Sequence, residues 1–259
     1  MSYDGFDVTN KSCLITGGTT GIGLAIAKGL ASAGARVVVG STSMAKISSA
    51  RAELGEPHDA VQLDVTDEAS AASAVEHVVR RNGRLDAVIH AAGIISRGPS
   101  MDVPVTEFRR VVETNLIGNF IMAQAAGRVM RNQSPDARGQ RGCIVNIASL
   151  NAYVSLSEVL AYAASKSGVM ALTRGLANEW GQYGIRVNGI APGVFPTDLN
   201  RQLIENTPRG DWLQHHTPLG RFGDTQELVG AAIYLISPAA SFTTGETILV
   251  DGGFLARGV

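Results

Sequence analysis

Thr16-Gly17-Gly18-Thr19-Thr20-Gly21-Ile22-Gly23 is the stretch that decides how this chain is read. It follows an apolar run at 13–16 and leads straight into the Ala-rich pattern of 23–33, so it is a strand-to-helix turn rich in glycine. Glycines let a backbone approach a pyrophosphate, and a helix N-terminus offers unpaired N–H groups and the positive end of its dipole. No Gly-Lys-Ser/Thr follows, which disfavours a nucleoside triphosphate and favours a dinucleotide. A merely flexible turn would also be Gly-rich, so the rest of the chain must carry the reading.

Outward from this turn, short β-branched runs alternate with helical patterns, the mark of βαβ units around a parallel sheet. The runs at 13–16, 35–40, 60–65, 85–91, 142–148, 185–190 and 247–250 are nearly all apolar, as strands buried on both faces should be. Helices are predicted at 23–33, 45–54, 67–81, 106–131, 157–183 and 225–236. The segment 133–141 reads as a surface loop. The stretch 192–223 is too long and too Pro-punctuated for an ordinary turn and reads as a substrate lid at about 193–223. No linker, repeat or composition shift marks a second domain, so one domain over 1–259 is expected. The predicted fold class is α/β: a single doubly wound (Rossmann) domain with seven parallel strands in the order 3-2-1-4-5-6-7 and helices on both faces.

Composition narrows the function classes. Over 259 residues, 22 Lys+Arg against 23 Asp+Glu give a net charge of −1, without a basic block, so nucleic acid is not an expected partner. Residues 1–10 carry no basic start and no apolar stretch, so neither a signal nor a transit peptide is read there. No apolar run is long enough to span a bilayer, so no membrane partner is expected. Cys13 and Cys143 lie far apart in apolar runs, which suits a reduced, cytoplasmic protein. His215-His216 lacks a third ligand at metal spacing, and no metal is expected.

Tyr162-Ala163-Ala164-Ser165-Lys166 falls within the helical pattern of 157–183, where i, i+4 spacing stacks phenol and ammonium on one face. A structural Tyr beside a solvated Lys shares that spacing, but proton exchange with an alcohol gives it a purpose. A phenol of pKa about 10 must come down by several units to work near neutral pH, and a fixed cation does this. Ser149 ends the fifth predicted strand, and Asn115 lies in the 106–131 helix.

Together with the spacing Gly17-x3-Gly21-x-Gly23, these residues resemble the short-chain dehydrogenase/reductase family. Asp64 after the third strand, Pro192-Gly193 followed by Thr197, and Val250-Asp251-Gly252-Gly253 extend the resemblance over essentially the whole chain. It implies hydride transfer between a nicotinamide cofactor and a secondary alcohol or ketone, with a catalytic tetrad of Asn115, Ser149, Tyr162 and Lys166. Lys166 would stabilise the phenolate and hold the nicotinamide ribose, Ser149 would hydrogen-bond the substrate oxygen, and Asn115 would position a water. The cofactor would rest on Gly17, Thr19, Thr20, Gly21, Ile22 and Gly23. Further contacts implied are Ser41, Thr42, Asp64 and Val65, then His90, Ala91 and Gly93, then Tyr162, Lys166, Pro192, Gly193 and Thr197. The family also implies a homotetramer, with the 157–183 helix and its small residues Ala161, Ala164, Ser165 and Gly168 at one interface.

Two details refine this. After the second strand the chain reads Gly40-Ser41-Thr42-Ser43, without the carboxylate that NAD-binding enzymes place on the adenosine ribose, so NADP is expected over NAD, with Lys46 as an available cation. Where the family most often reads Asn-Asn-Ala-Gly, this chain has His90-Ala91-Ala92-Gly93, and His90 is expected to be packed and satisfied. The segment 165–174, Asn178-Glu179-Trp180 and the ending Gly252-Gly253-Phe254-Leu255-Ala256 look like the sugar-acid branch, which includes gluconate 5-dehydrogenase and 2-dehydro-3-deoxygluconate dehydrogenase. Arg97, Ser149 and Asn151 are the substrate-side candidates, Arg97 because a guanidinium grips a carboxylate through two parallel hydrogen bonds. A 3-oxoacyl-carrier-protein reductase is the alternative. A non-catalytic dinucleotide-binding scaffold is a further one, which loss of Tyr162 or Lys166 would have signalled.

Overall fold

The computed structural model describes residues 4–257; residues 1–3 and 258–259, the ends of the predicted 1–259 domain, lie outside it. Seven described strands form one parallel sheet: β1 Ser12–Thr16, β2 Arg36–Ser41, β3 Asp59–Gln62, β4 Ala87–His90, β5 Gly142–Ile147, β6 Ile185–Pro192 and β7 Thr247–Val250. Their order, β3-β2-β1-β4-β5-β6-β7, is the predicted one. The chain leaves β1 toward one edge and β4 toward the other, so the crevice between their carboxyl ends is the topological switch point where ligands of such sheets bind.

Alternate strand residues feed two separate cores. Cys13, Ile15, Ile89 and Val145 face α1 (Gly21–Ser32), α2 (Met44–Leu54) and α9 (Val229–Ile236). Leu14, Val88 and Ile144 face α3 (Glu68–Asn82), α5 (Gly118–Met130) and α6 (Leu160–Trp180). Burial on both faces is why these strands read as unbroken apolar runs.

Several predicted bounds change for local reasons. The third and fourth strands pair only over Asp59–Gln62 and Ala87–His90, because the following residues bend away to form the crevice. The single helix predicted at 106–131 is α4 (Val105–Val112), a π turn at Glu113–Ile117, and α5. Asn115 sits in that π turn with its amide bonded in both directions to the Ile94 backbone, at 2.8 and 2.9 Å, and this side-chain anchor accompanies the local widening of the helix. The helix predicted from 157 starts at Leu160, because Glu158 has φ +68°, and it closes through a 3-10 turn at Gly181–Tyr183. The segment predicted at 225–236 opens as a 3-10 turn, Thr225–Leu228, under a capping box between Asp224 and Glu227. The long stretch after β6 contains α7 (Arg201–Ile204) and α8 (Pro208–His216), whose Ile204 and Leu213 pack with Leu150 and Phe254 over the crevice.

Candidate active site

The turn after β1 is shaped by steric necessity. Gly17 and Gly21 have φ of +62° and +52°, and a Cβ on Gly17 would lie 2.7 Å from the Ala92 backbone. A Cβ on Gly23 would collide with the Gly17 carbonyl, so the turn folds flat onto the start of α1. Thr20, the N-cap of α1, makes no side-chain cap bond, and the first turn carries no acid. The helix therefore points uncapped N–H groups and its positive pole into the crevice, which fits a pyrophosphate. Thr19 is buried and Thr20 and Ile22 partly so, while Thr16 Oγ1 accepts from the Ala92 amide at 3.1 Å and ties the turn to the end of β4.

The remaining cofactor candidates ring this turn. Ser41 Oγ accepts from the Ser43 amide at 3.2 Å, Thr42 is exposed, and Ser43 caps α2, whose first turn has no acid. An anionic group there meets hydroxyls, a helix N-terminus and the exposed Lys46, with no carboxylate to repel it. Asp64 is exposed and holds the loop by accepting from the amide and hydroxyl of Thr66, at 2.9 and 2.7 Å, while Val65 is buried against Gly118. Ala91 and Gly93 continue from β4, and a Cβ on Gly93 would come 3.3 Å from Asn115 Oδ1 and 3.7 Å from Lys166 Nζ. Gly193, after Pro192, lies against Asp251 of the turn following β7, and Thr197 approaches Gly21 from the other side.

Ser149, Tyr162 and Lys166 meet beyond β5. Ser149 caps a 3-10 turn, Leu150–Ala152, accepting from the Asn151 amide at 3.1 Å. Tyr162 stands in the first turn of α6, and Lys166 one turn on, its Nζ 5.5 Å from the Tyr162 ring centroid and bonded to the Ile147 carbonyl at 2.6 Å. Asn115 spends both amide hydrogens on the Ile94 carbonyl and, at 3.1 Å, on Ser165 Oγ, which in turn donates to the Tyr162 carbonyl at 2.7 Å. Its side chain is thus a brace holding the loop after β4 to α6.

Burial pushes the Tyr162 phenol up, against opposing pulls from a hydrogen bond with Ser149 and the charge of Arg97. Burial lowers the Lys166 ammonium to about 8, and the ammonium donates to Ile147 while it lies 5.5 Å from the Tyr162 ring centroid. The phenol is therefore protonated at neutral pH, ready to give a proton to a ketone oxygen.

Tyr162 and Ser149 open onto a cavity of about 150 Å³ that Arg97, Asn151 and, from α8, Arg209 also line. Asn151 Oδ1 accepts from the Leu156 amide at 3.2 Å, which closes the loop on that side. The sequence reading did not single out Arg209; its signal was a basic residue in the first turn of a helix, where the dipole disfavours positive charge. A larger cavity, about 270 Å³, lies between Lys11, Arg84, Arg138 and Arg186 at the amino ends of the strands, far from these groups.

His90 corrects a further expectation. It is packed, with 3% exposure, but both ring nitrogens lack a protein partner. In register with it stand Thr16 and Asn146; Asn146 donates to Thr173 Oγ1 at 2.8 Å while its own Oδ1 is unpaired. Burial, and secondarily the Lys166 charge, hold the His90 imidazole down to about 3. The unfolded chain takes up a proton below pH 6.5 that the folded chain refuses until about 3, so stability present above 6.5 is lost as pH falls between these values. By pH 5 this amounts to about 2 kcal/mol. His90→Asn is expected to remove that share of the acid sensitivity, read as urea unfolding at pH 5 and 7.5; equal losses in variant and parent would contradict it.

Comparison with known proteins agrees with this geometry. Residues 17–255 match the family model described as "Enoyl-(Acyl carrier protein) reductase". The chain is 39% identical to a 2-dehydro-3-deoxy-D-gluconate 5-dehydrogenase of Formosa agariphila, over 99% of this chain and 97% of that protein. It is 37% identical to the gluconate 5-dehydrogenase of Gluconobacter oxydans, over 98% of each. Among solved structures, a gluconate 5-dehydrogenase from Burkholderia cenocepacia in complex with NADP and tartrate superposes with a TM-score of 0.90 at 38% identity, covering 98% of this chain and 99% of that one.

Proposed function

The chain belongs to the short-chain dehydrogenase/reductase family, and on that premise we propose that it is an NADP-preferring oxidoreductase interconverting a secondary alcohol and a ketone on a sugar acid such as gluconate. The observation that carries this is the small cavity whose wall combines Ser149 and Tyr162 with arginine side chains. The nicotinamide, when bound, supplies or accepts the hydride. Residues of this chain do the rest. Ser149 donates a hydrogen bond to the reacting oxygen, and the Tyr162 hydroxyl gives it a proton or takes one. Asn115 holds the loop after β4 to α6, and Lys166, anchored on the Ile147 carbonyl beside the Tyr162 ring, would hold the nicotinamide ribose and stabilise the phenolate. Gly17 to Gly23, Ser41, Thr42, Asp64, Val65, His90 to Gly93, Pro192, Gly193 and Thr197 form the cofactor's bed, and residues 193–223 serve as the lid of a one-domain enzyme.

A cavity of about 150 Å³ suits a small substrate better than an acyl thioester, whose chain needs an open groove. An absorbance assay with gluconate, neutral polyols and a model 3-oxoacyl ester, each with NADP and NAD, tests the reading. Gluconate with NADP is expected to turn over best, and Ser41→Asp to shift preference toward NAD by repelling the 2′-phosphate. Turnover of the acyl ester alone would assign the competing reductase activity, and none at all the scaffold.

We infer a homotetramer as well. Of the small residues on α6, Ala161 and Ser165 are buried within the subunit and Gly168 packs on Leu116, which leaves Ala164 exposed for the interface the family implies. Apolar surface is also available at Phe108, Ile117, Phe120 and Leu160, all exposed on α4, the π turn, α5 and α6. Light scattering reporting a monomer would refute the assembly. Among the described residues no helix is long and apolar enough to cross a membrane. Both cysteines are buried and free, which supports work in the reducing cytoplasm.

A further inference from the structure

We propose that Arg209, on α8, is a specificity-determining residue that binds the substrate carboxylate jointly with Arg97 across the mouth of the cavity. This rests on the sugar-acid reading and adds to it a second cation, contributed by the lid.

The two guanidinium groups reach one cavity from distant parts of the chain, and neither is spent. Arg97 makes a single long contact, Nη2 to the Leu199 carbonyl at 3.4 Å. Arg209 reaches the Ser157 carbonyl at 3.3 Å and Glu158 at 3.6 Å. The Glu158 pair is solvent-exposed and so contributes little. Each guanidinium carries five N–H donors, so most of them stay available to a ligand in the cavity.

The placement of Arg209 is rigid, and its charge is offset within the chain only by Asp211 in the same turn and the exposed Glu158. It occupies the first turn of a helix, directly after Pro208, where the dipole opposes a positive charge. The backbone beneath it is fixed: Thr207 Oγ1 accepts from the Gly210 amide at 3.0 Å, and a Cβ on Gly210 would strike the Ile204 carbonyl. Ile204 and Leu213 then pack on Leu150, the neighbour of Ser149, so α8 rests on the catalytic turn itself. On the facing side Gly98 donates to the Glu158 carbonyl at 3.0 Å and keeps the Arg97 loop against the same segment. Burial first, and then the charge of Arg209, lower the Arg97 guanidinium against opposing pulls from Glu158 and Tyr162, so the two guanidinium groups feel each other across the cavity. A carboxylate between them relieves that repulsion, and its two oxygens match the paired N–H groups of each fork. Specificity follows, because a neutral polyol offers no charge to either guanidinium and leaves most of their N–H donors in the cavity unmatched.

The test compares kcat/KM for gluconate and for sorbitol, the neutral polyol of the same length, in the parent, Arg209→Ala, Arg209→Lys and Arg97→Ala. Arg209→Ala is expected to lose about 10–100-fold on gluconate, chiefly in KM, and to change sorbitol by less than about 3-fold. Arg209→Lys should recover part of the loss, and competitive inhibition by tartrate should weaken in Arg209→Ala alongside it. Thermal unfolding and NADP binding unchanged from the parent establish that α8 is still seated. A parent that does not favour gluconate over sorbitol overturns the sugar-acid reading and this inference together. A parent that favours gluconate while Arg209→Ala loses equally on both substrates, or on neither, overturns this inference alone.

Discussion

Tyr162→Phe is expected to lower turnover by about 10²–10⁴-fold, the usual contribution of a positioned proton donor, while leaving NADP affinity within about 2-fold. The variant removes one oxygen and keeps the ring over Lys166, so the packing of α6 and the cofactor bed are untouched. It also removes a phenol that burial has pushed up and that only Ser149 and Arg97 pull back. For the same reason the parent's rate of alcohol oxidation should climb as pH rises into the alkaline range, since the reaction then needs the phenolate. Stopped-flow turnover with a fluorescence titration of NADP separates the two quantities. Near-normal turnover in the variant would show that another group moves the proton.

Lys166→Met should separate activity from stability in opposite directions. Burial lowers this ammonium from 10.5 to about 8, so the folded protein holds a charge it disfavours. The difference corresponds to roughly 3 kcal/mol, from which the lost bond to Ile147 subtracts about 1–2. A net gain of about 1–2 kcal/mol in unfolding free energy is therefore expected below pH 8, together with large losses in both turnover and NADP affinity. The pH dependence supplies a control. Between pH 8 and 10.5 the unfolded chain keeps a proton that the folded one has released, so the parent gains stability across that window and the variant does not. A variant that is less stable at neutral pH would mean that Lys166 serves the fold rather than the site.

How much of this was legible beforehand follows from what each kind of residue reports. Burial on both faces leaves an unbroken apolar run and a helix leaves its period, so seven strands and most helices could be read locally, and their order followed from the rule for doubly wound sheets. Glycines at φ +62° and +52° betray themselves as well, because other side chains rarely adopt that backbone. The i, i+4 spacing of Tyr162 and Lys166 likewise placed them one turn apart on a single helix. Sequence alone could not say where the ammonium points: it donates to Ile147, a residue of β5 that only the packing of α6 brings near. Nor could it show that Asn115, bonded to Ile94 and Ser165 across 21 and 50 residues of chain, opens its helix into a π turn and serves as a brace.

His90 and Arg209 mark the same boundary. Residue type made His90 a plausible satisfied histidine; its neighbours across β1 and β5, set by register, leave both nitrogens without a partner. Arg209 lies more than a hundred residues from Arg97 in a segment that read as irregular chain, and it enters the cavity only because α8 folds back over Leu150. Local patterning therefore determined the strands, the Gly-rich turn after β1 and the placing of Tyr162 and Lys166 one turn apart on one helix. Tertiary packing decided which polar atoms are paired, which charges are buried, and which cations face the substrate, because those depend on distances between segments that no local pattern encodes.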